Sequence, residues 1–387
     1  MSNHSVFVYG DTVLNYHFHE DHPFNQKRVL LTKDLLEKMG TLMDKDIVKP
    51  RKATDDELHL FHDPVYVEAV KKSGHNQWPF SRRIEFGLGS EDTPPFPDMH
   101  DAASWLVGGT LTAVDAVMEN TYKHALHLGG GLHHGFKRKA SGFCIYNDAA
   151  VSIKYIQEKY QAKVLYVDTD AHHGDGVQWA FYDDPNVCTF SIHETGRYLF
   201  PGTGHIHERG IKDGHGYAFN IPIDAFTEDD SFIHVYEEAF RRIAAFFKPD
   251  VIMTQNGADA HAYDPLTHLS LSMRSYERIP ELAHELAHEY CNGKWIALGG
   301  GGYDMWRVAP RAWAQVWNVM KREQVMSGKI SEAWLQKWQK ESPVVLPTGW
   351  RDDKSDLPKI PRRKEIQEKN AQLLSGVLKH IQQYNHY

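Results

Sequence analysis

The apolar run Ala162-Lys163-Val164-Leu165-Tyr166-Val167 leads directly into Asp168-Thr169-Asp170-Ala171-His172-His173-Gly174-Asp175, which puts five ionisable groups in eight positions. Charges at that density cannot sit unpaired in an apolar interior. The run therefore reads as a buried strand with the polar cluster just past its carboxyl end, where open α/β sheets place their sites. Alternation along an extended chain predicts Asp168, Asp170 and His172 on one side. Asp170 and His172 suit one metal ion, because oxygen plus imidazole nitrogen fits a divalent transition ion such as zinc better than calcium or magnesium. Gly174 is read as the turn that frees the backbone before Asp175. A capped strand end with surface histidines is the plainer alternative, and the density of the cluster argues against it.

Other apolar runs repeat this layout. Strands are expected at Val6–Tyr9, Ala125–Leu128, Val187–Ile192, Ala218–Ile223, Val251–Gln255 and Trp295–Leu298. Helical periodicity marks Asn25–Met39, Val65–Lys72, Ala102–Met118, a stretch ending near Tyr160, Glu228–Phe247 and Arg274–Tyr290. Thr54-Asp55-Asp56-Glu57 is a capping box. This alternation implies a mostly parallel sheet covered on both faces. Two long irregular stretches interrupt it: Ser73–Asp98, with Trp78, Phe80, Phe86 and Phe96, and the Gly-rich Glu194–Gly216. Loops of that length in a compact domain usually serve function. Beyond Arg322 the register changes to a short helix (Ser331–Glu341), a Pro-rich charged stretch and an amphipathic helix (Glu365–Tyr384). The division expected is a catalytic domain over 1–322 and a helical extension over 323–387 packed on it.

Composition narrows the function classes. With 43 basic and 51 acidic residues the formal charge is −8, without long acidic blocks, which argues against nucleic acid as a partner. Cys144, Cys188 and Cys291 are the only cysteines, widely spaced with no CxxC, which suits a reducing compartment and no zinc finger. No membrane-length apolar run and no signal-peptide pattern occurs, so the cytoplasm is the expected location and no membrane partner is expected. The 25 histidines are the unusual number, and several stand next to Gly or Asp at strand ends.

Three further strand ends carry matching chemistry. Val251–Gln255 runs into Asn256-Gly257-Ala258-Asp259, whose carboxylate can complete a three-ligand set with Asp170 and His172 and leave one position open, as in a catalytic zinc site. Gly129-Gly130-Gly131-Leu132-His133-His134 delivers two imidazoles. Asp168 and Asp175, each accepting the distal N–H of one of them, would fix tautomer and basicity, as a general base requires. Gly299-Gly300-Gly301-Gly302-Tyr303 permits close backbone approach and places a phenol that can donate to an oxyanion.

The ordered set GGGLHHG, SGFCIYND, YVDTDAHHGDGV, FPGTG, NGAD and GGGGYD resembles the histone deacetylase family over most of the chain to about Met320. The resemblance implies an α/β, arginase/deacetylase-like three-layer fold with an eight-stranded, mostly parallel sheet. It also implies a zinc-dependent amidohydrolase that removes acetyl from lysine, with iron(II) as the other ion a D/H/D site accepts. By motif position, Asp170, His172 and Asp259 resemble the metal ligands. His134 resembles the general base and acid, oriented by Asp175, and His133 its electrostatic partner, oriented by Asp168. Tyr303 resembles the oxyanion donor. Phe143 and Phe200, with Gly142 and Gly301, resemble the walls of the acyl-lysine tunnel, and Asp92 the rim carboxylate that holds the substrate backbone. Arg28 resembles the arginine of an inner cavity. Monovalent-cation sites (K+ or Na+) would use Asp168, Asp170, His172, Ser191 and Ile192, and a second Phe181, Asp184, Val187 and Tyr217. The implied partner is an acetylated protein, among bacterial members a metabolic enzyme such as an acetyl-CoA synthetase; oligomeric state stays open.

Three rivals remain. A two-manganese ureohydrolase would need a carboxylate where Gly174 stands. An acetylpolyamine hydrolase would be expected to carry an acidic gate where Leu266 follows Asp264-Pro265. A non-catalytic acetyl-lysine binder would not need the ligands, both histidines and Tyr303 together.

Overall fold

A computed structural model describes residues 4–75 and 77–384. Among them, eight strands form one sheet: β1 (Ser5–Val8), β2 (Ile47–Val48), β3 (His124–His127), β4 (Val164–Asp168), β5 (Val187–Glu194), β6 (Ala218–Ile223), β7 (Val251–Gln255) and β8 (Trp295–Leu298). Their order is β2-β1-β3-β8-β7-β4-β5-β6, and every neighbouring pair is parallel. Nearly every strand residue is buried, as expected where helices cover both faces. The four strands whose carboxyl ends carry polar clusters, β3, β8, β7 and β4, are consecutive in this order. Residues more than a hundred positions apart therefore emerge side by side at one rim.

Twelve helices are described: α1 (Lys27–Lys38), α2 (Asp55–His59), α3 (Pro64–Gly74), α4 (Phe80–Arg83), α5 (Met99–Met118), α6 (Asp148–Tyr160), α7 (Asp175–Ala180), α8 (Asp229–Phe247), α9 (Met273–Tyr290), α10 (Ala309–Arg322), α11 (Glu332–Trp338) and α12 (Arg363–Tyr384). His124 and His127 on β3 differ by an odd number of positions and so face opposite sides of the sheet. His127 meets α5, where a Cβ on Gly109 would lie 2.3 Å from its Nε2, and His124 meets His284 and His288 of α9. α5 and α9 thus cover opposite faces. The stretch 73–98 begins with the last two residues of α3, its described residues include α4 and a 3-10 turn at Ile84–Phe86, and Phe96 is buried against Tyr16 and Phe18.

The segment after α10 is held by buried polar anchors. Trp334 Nε1 donates to the Leu31 carbonyl at 3.1 Å and Trp338 Nε1 to Asp34 at 2.7 Å, both on α1. Asp352 is the strongest tie. Its carboxylate accepts from Arg311 Nη2 of α10 at 2.7 Å, from His261 Nε2 at 3.1 Å and from the Met273 N–H at 2.8 Å. Burial alone would raise this carboxyl, but His261 and Arg311 reverse that and hold it well below the usual carboxylate range.

Removing one partner of a buried pair strands the other, so Asp352→Ala should lower stability by about 3 to 5 kcal/mol in urea unfolding. Because the folded-state pKa is depressed, this contribution is present above the unfolded value of about 3.9 and is lost as pH falls below it, so the cost should be full at pH 6. A variant within about 0.5 kcal/mol of the parent at pH 6 would contradict this role.

Candidate active site

β4 stops at Asp168, so strand alternation is not what gathers the candidate ligands. Two successive Asx turns do it instead: the Asp170 N–H donates to Asp168 Oδ1 at 3.1 Å and the His172 N–H to Asp170 Oδ1 at 3.0 Å. These turns bring His172 Nδ1 to 3.2 Å from Asp170 Oδ1, and to 3.0 Å from Oδ2 of Asp259, which arrives from the end of β7. Ligand atoms of all three residues lie within 4.8 Å of one another, and all three side chains are buried. Gly174 also differs from its expected role. Its φ is −73°, open to any residue, and glycine is required because a Cβ would lie 2.2 Å from Asp168 Oδ2.

Each carboxylate is aimed by a neighbour. Asp259 Oδ1 accepts from the Ala171 N–H at 2.9 Å, leaving Oδ2 toward His172. Asp170 Oδ2 accepts from Gln255 Nε2 at 2.6 Å and from the Gly301 N–H at 2.7 Å, leaving Oδ1 toward His172. Burial penalises each charge here. Even so, the two carboxylates raise His172 well above an ordinary imidazole, burial and Asp170 raise Asp259, and His133 and His172 hold Asp170 low. A buried pocket with two carboxylates converging on one imidazole favours positive charge, and this O/N/O donor set fits a divalent transition ion.

The histidine pair lies alongside. His133 Nδ1 donates to Asp168 Oδ2 at 2.8 Å, an oxygen that also accepts from the Tyr166 hydroxyl at 2.9 Å. His134 Nδ1 donates to Asp175 Oδ1 at 2.7 Å, so its Nε2 is the nitrogen left for chemistry. The two rings are 3.9 Å apart and titrate in opposite directions. Burial disfavours a charged His133, but Asp168 and Asp170 outweigh it and raise the imidazole to about 9. Burial and the neighbouring His133 lower His134 to about 4. One imidazole is thus a held positive charge and the other a neutral base, the separation that acid–base chemistry exploits.

Tyr303 follows the glycine run after β8, and Asp264 Oδ2 accepts its N–H at 2.8 Å. Its ring meets Phe143 edge-on at 5.8 Å and His172 at 6.4 Å, and burial raises its phenol well above the ordinary value, so it stays a donor. Phe143 sits at φ +67°, a conformation a bulky residue adopts only when its surroundings impose it. The Tyr16 hydroxyl imposes it, donating to the Phe143 carbonyl at 2.6 Å while accepting from the Ile145 N–H at 3.0 Å. Phe200, 44% exposed, crosses His134 edge-on at 5.0 Å. Gly142, at φ +51°, lies between them, since a Cβ there would be 2.5 Å from His134 and 3.0 Å from Phe200.

The remaining sequence-derived residues are placed as follows. Arg28 is buried, donates to the Gly302 carbonyl at 3.0 Å and lies 4.4 Å over Phe24 and 5.0 Å over Trp313. The Asp92 side chain is exposed and its carbonyl accepts from His22 Nε2 at 3.3 Å. Leu266 is 36% exposed, its N–H donating to Asp264 Oδ1 at 3.0 Å. Asp168 pairs in register with Ser191, whose hydroxyl is 2.7 Å from His193 Nδ1. His193 Nε2 donates to the Gly204 carbonyl at 3.0 Å, so Nδ1 accepts the Ser191 proton and the serine lone pairs stay available to a cation. Phe181 and Asp184 lie in the turn that leads to Val187, the first residue of β5, and Tyr217 immediately precedes β6: the Phe181 and Asp184 carbonyls accept from the Asp184 and Val187 N–H groups, and the Tyr217 carbonyl from the Thr189 N–H. Ile192 is buried on β5.

Sequence reasoning passed over Gln255, Tyr166, Tyr16 and His22. A glutamine closing the apolar strand Val251–Gln255 is the one signal that could have been read, since a polar group there must have a buried partner. His22 packs 4.8 Å from Phe143, and its Nδ1 accepts from the Phe24 N–H, but no local pattern marks it.

The profile described as "Histone deacetylase domain" matches residues 22–320, and the chain belongs to the histone deacetylase family. Within it, the chain is 61% identical over 375 residues to the acetoin utilization protein AcuC of Bacillus subtilis, covering 97% of this chain and 96% of that one. It is 46% identical to AcuC of Staphylococcus xylosus, covering 98% of both. A crystal structure of an HDAC homolog complexed with SAHA superposes with a TM-score of 0.84 at 28% identity, covering 96% of this chain and 99% of that one. An HDAC homolog from Aquifex aeolicus gives 0.82 at 26% identity, covering 95% and 99%.

Gly301→Ala tests how tightly the ligands are packed. Its Cβ would fall 2.2 Å from Asp259 Oδ2 and 2.9 Å from Asp170 Oδ2. Zinc affinity, measured by chelator competition, should weaken by roughly 10- to 100-fold, and unchanged affinity would contradict this packing.

Proposed function

We propose that this chain is a metal-dependent lysine deacetylase that hydrolyses the acetyl amide of protein lysine side chains to acetate and free amine. The observation that carries the reading is the convergence at one rim of the Asp170/His172/Asp259 cluster, a neutral His134 beside a charged His133, and Tyr303, with Phe143 against Tyr303 and Phe200 against His134. Zinc is the ion proposed, with iron(II) compatible with the same ligands.

Asp170, His172 and Asp259 would hold the ion, which when bound would supply Lewis acidity to the acyl carbonyl and acidify water. His134 Nε2, with Nδ1 fixed on Asp175, takes the proton of the attacking water and later returns it to the leaving lysine nitrogen. His133 keeps its proton on Asp168 and offsets the negative charge that develops nearby. Tyr303 donates its hydroxyl to the oxyanion. Phe143 and Phe200 flank the acyl-lysine stem, and Asp92 at the rim accepts from the substrate backbone. Arg28, buried and bonded to the Gly302 carbonyl next to Tyr303, is proposed to line an inner cavity. Leu266 offers no charge to a distant ammonium, which favours a protein lysine over an acetylpolyamine. The Ser191 oxygen and the turns entering β5 and β6 are proposed to hold K+ or Na+. The proposed target is an acetylated metabolic enzyme, an acetyl-CoA synthetase being the candidate.

The reading is tested by turnover of an acetyl-lysine peptide beside acetylspermidine, after metal removal and after one equivalent of zinc. Peptide turnover should return with zinc; turnover of the polyamine alone, or of neither with zinc bound, would overturn it. In the same assay Tyr303→Phe should lose on the order of 10² to 10³ in kcat, and a near-parental rate would remove Tyr303 from the oxyanion role.

A further inference from the structure

We propose that His124, His284 and His288 form a second transition-metal site at the amino-terminal edge of the sheet, opposite the rim that carries the active site, and that it takes Zn2+. His284 and His288 are four residues apart on α9 and so share one face one turn apart, and His124, the first residue of β3, lies beneath them. Ligand nitrogens of the three lie within 4.8 Å of one another. His124 Nε2 and His288 Nε2 are 3.3 Å apart. Two nitrogens on a tetrahedral zinc at about 2.05 Å are separated by roughly 3.3 Å, so this pair already has the spacing a shared ion needs. Three imidazoles without a carboxylate select zinc, copper or nickel over calcium or magnesium.

A further observation points to a ligand. His284 Nε2 is buried with no hydrogen-bond partner, an omission that costs stability unless something satisfies it. The site is accessible, because His288 is exposed while His124 is 2% exposed. Glu285 and Glu323 add favourable negative potential at His284. A neutral hydrogen-bonded histidine stack is the alternative, and it binds no ion.

The test is zinc stoichiometry of the full-length, tag-free protein by competition with a chromophoric chelator, comparing the parent with His288→Ala and His284→Gln. The parent should bind one zinc more per chain than either variant, or bind it at least tenfold more tightly, with peptide deacetylation unchanged in His288→Ala. Because the readout is a difference between proteins, it does not depend on occupancy of the active site. Equal stoichiometry and affinity in all three proteins would overturn the proposal, and His288→Ala guards against misfolding because it truncates an exposed side chain.

Discussion

Asp170 and Asp259 bring two carboxylates to one buried imidazole, and the surrounding structure is arranged to make that tolerable. Isolated carboxylates at such depth would take up protons instead of remaining charged. Here each carboxylate has one oxygen held by a fixed donor, Ala171 for Asp259, Gln255 and Gly301 for Asp170, and one turned toward the shared point. Asp170, Ala171 and His172 follow the end of β4, Gln255 and Asp259 come from the end of β7 and Gly301 follows β8, and they meet because those strands are neighbours. The glycines follow from the same crowding: side chains at 174, 257 or 301 would occupy the space of Asp168, Asp170 or Asp259.

A similar division of labour separates the two histidines. Consecutive in sequence, they point at different carboxylates, and that difference, more than burial alone, drives their affinities for protons apart. His133 has Asp168 and Asp170 close by, while His134 has Asp175 and, against it, the charge on His133. Moving Asp168 would take away the largest influence that keeps a proton on His133. The outer wall depends on Tyr16 in the same way, since its hydroxyl holds the unfavourable backbone of Phe143 in place.

Much of this was legible in the sequence because buried parallel strands are continuous apolar runs and their ends are abrupt. The D-H-D cluster, the histidine pair and Tyr303 all followed such runs. Strand order was not legible, because nothing local in Ala125–Leu128 or Trp295–Leu298 says that these strands are neighbours; the sheet alone shows it. Ile47–Val48 is too short to give a period. Helix Ala309–Arg322 was passed over although Pro310 at its first turn and the spacing of Trp313, Val316, Trp317 and Met320 carried the signal. The ligand geometry was predicted from alternation and is produced by Asx turns, because the strand ends at Asp168 and side-chain acceptors replace the ladder there.

The most direct measurement is an anomalous difference map, collected at the zinc edge, from a crystal of protein given one equivalent of zinc after metal removal. The account predicts a peak bonded to Asp170, His172 and Asp259 at about 2.0 to 2.2 Å. A map with no density there while zinc is bound elsewhere would contradict the claim that these two carboxylates are arranged for a cation.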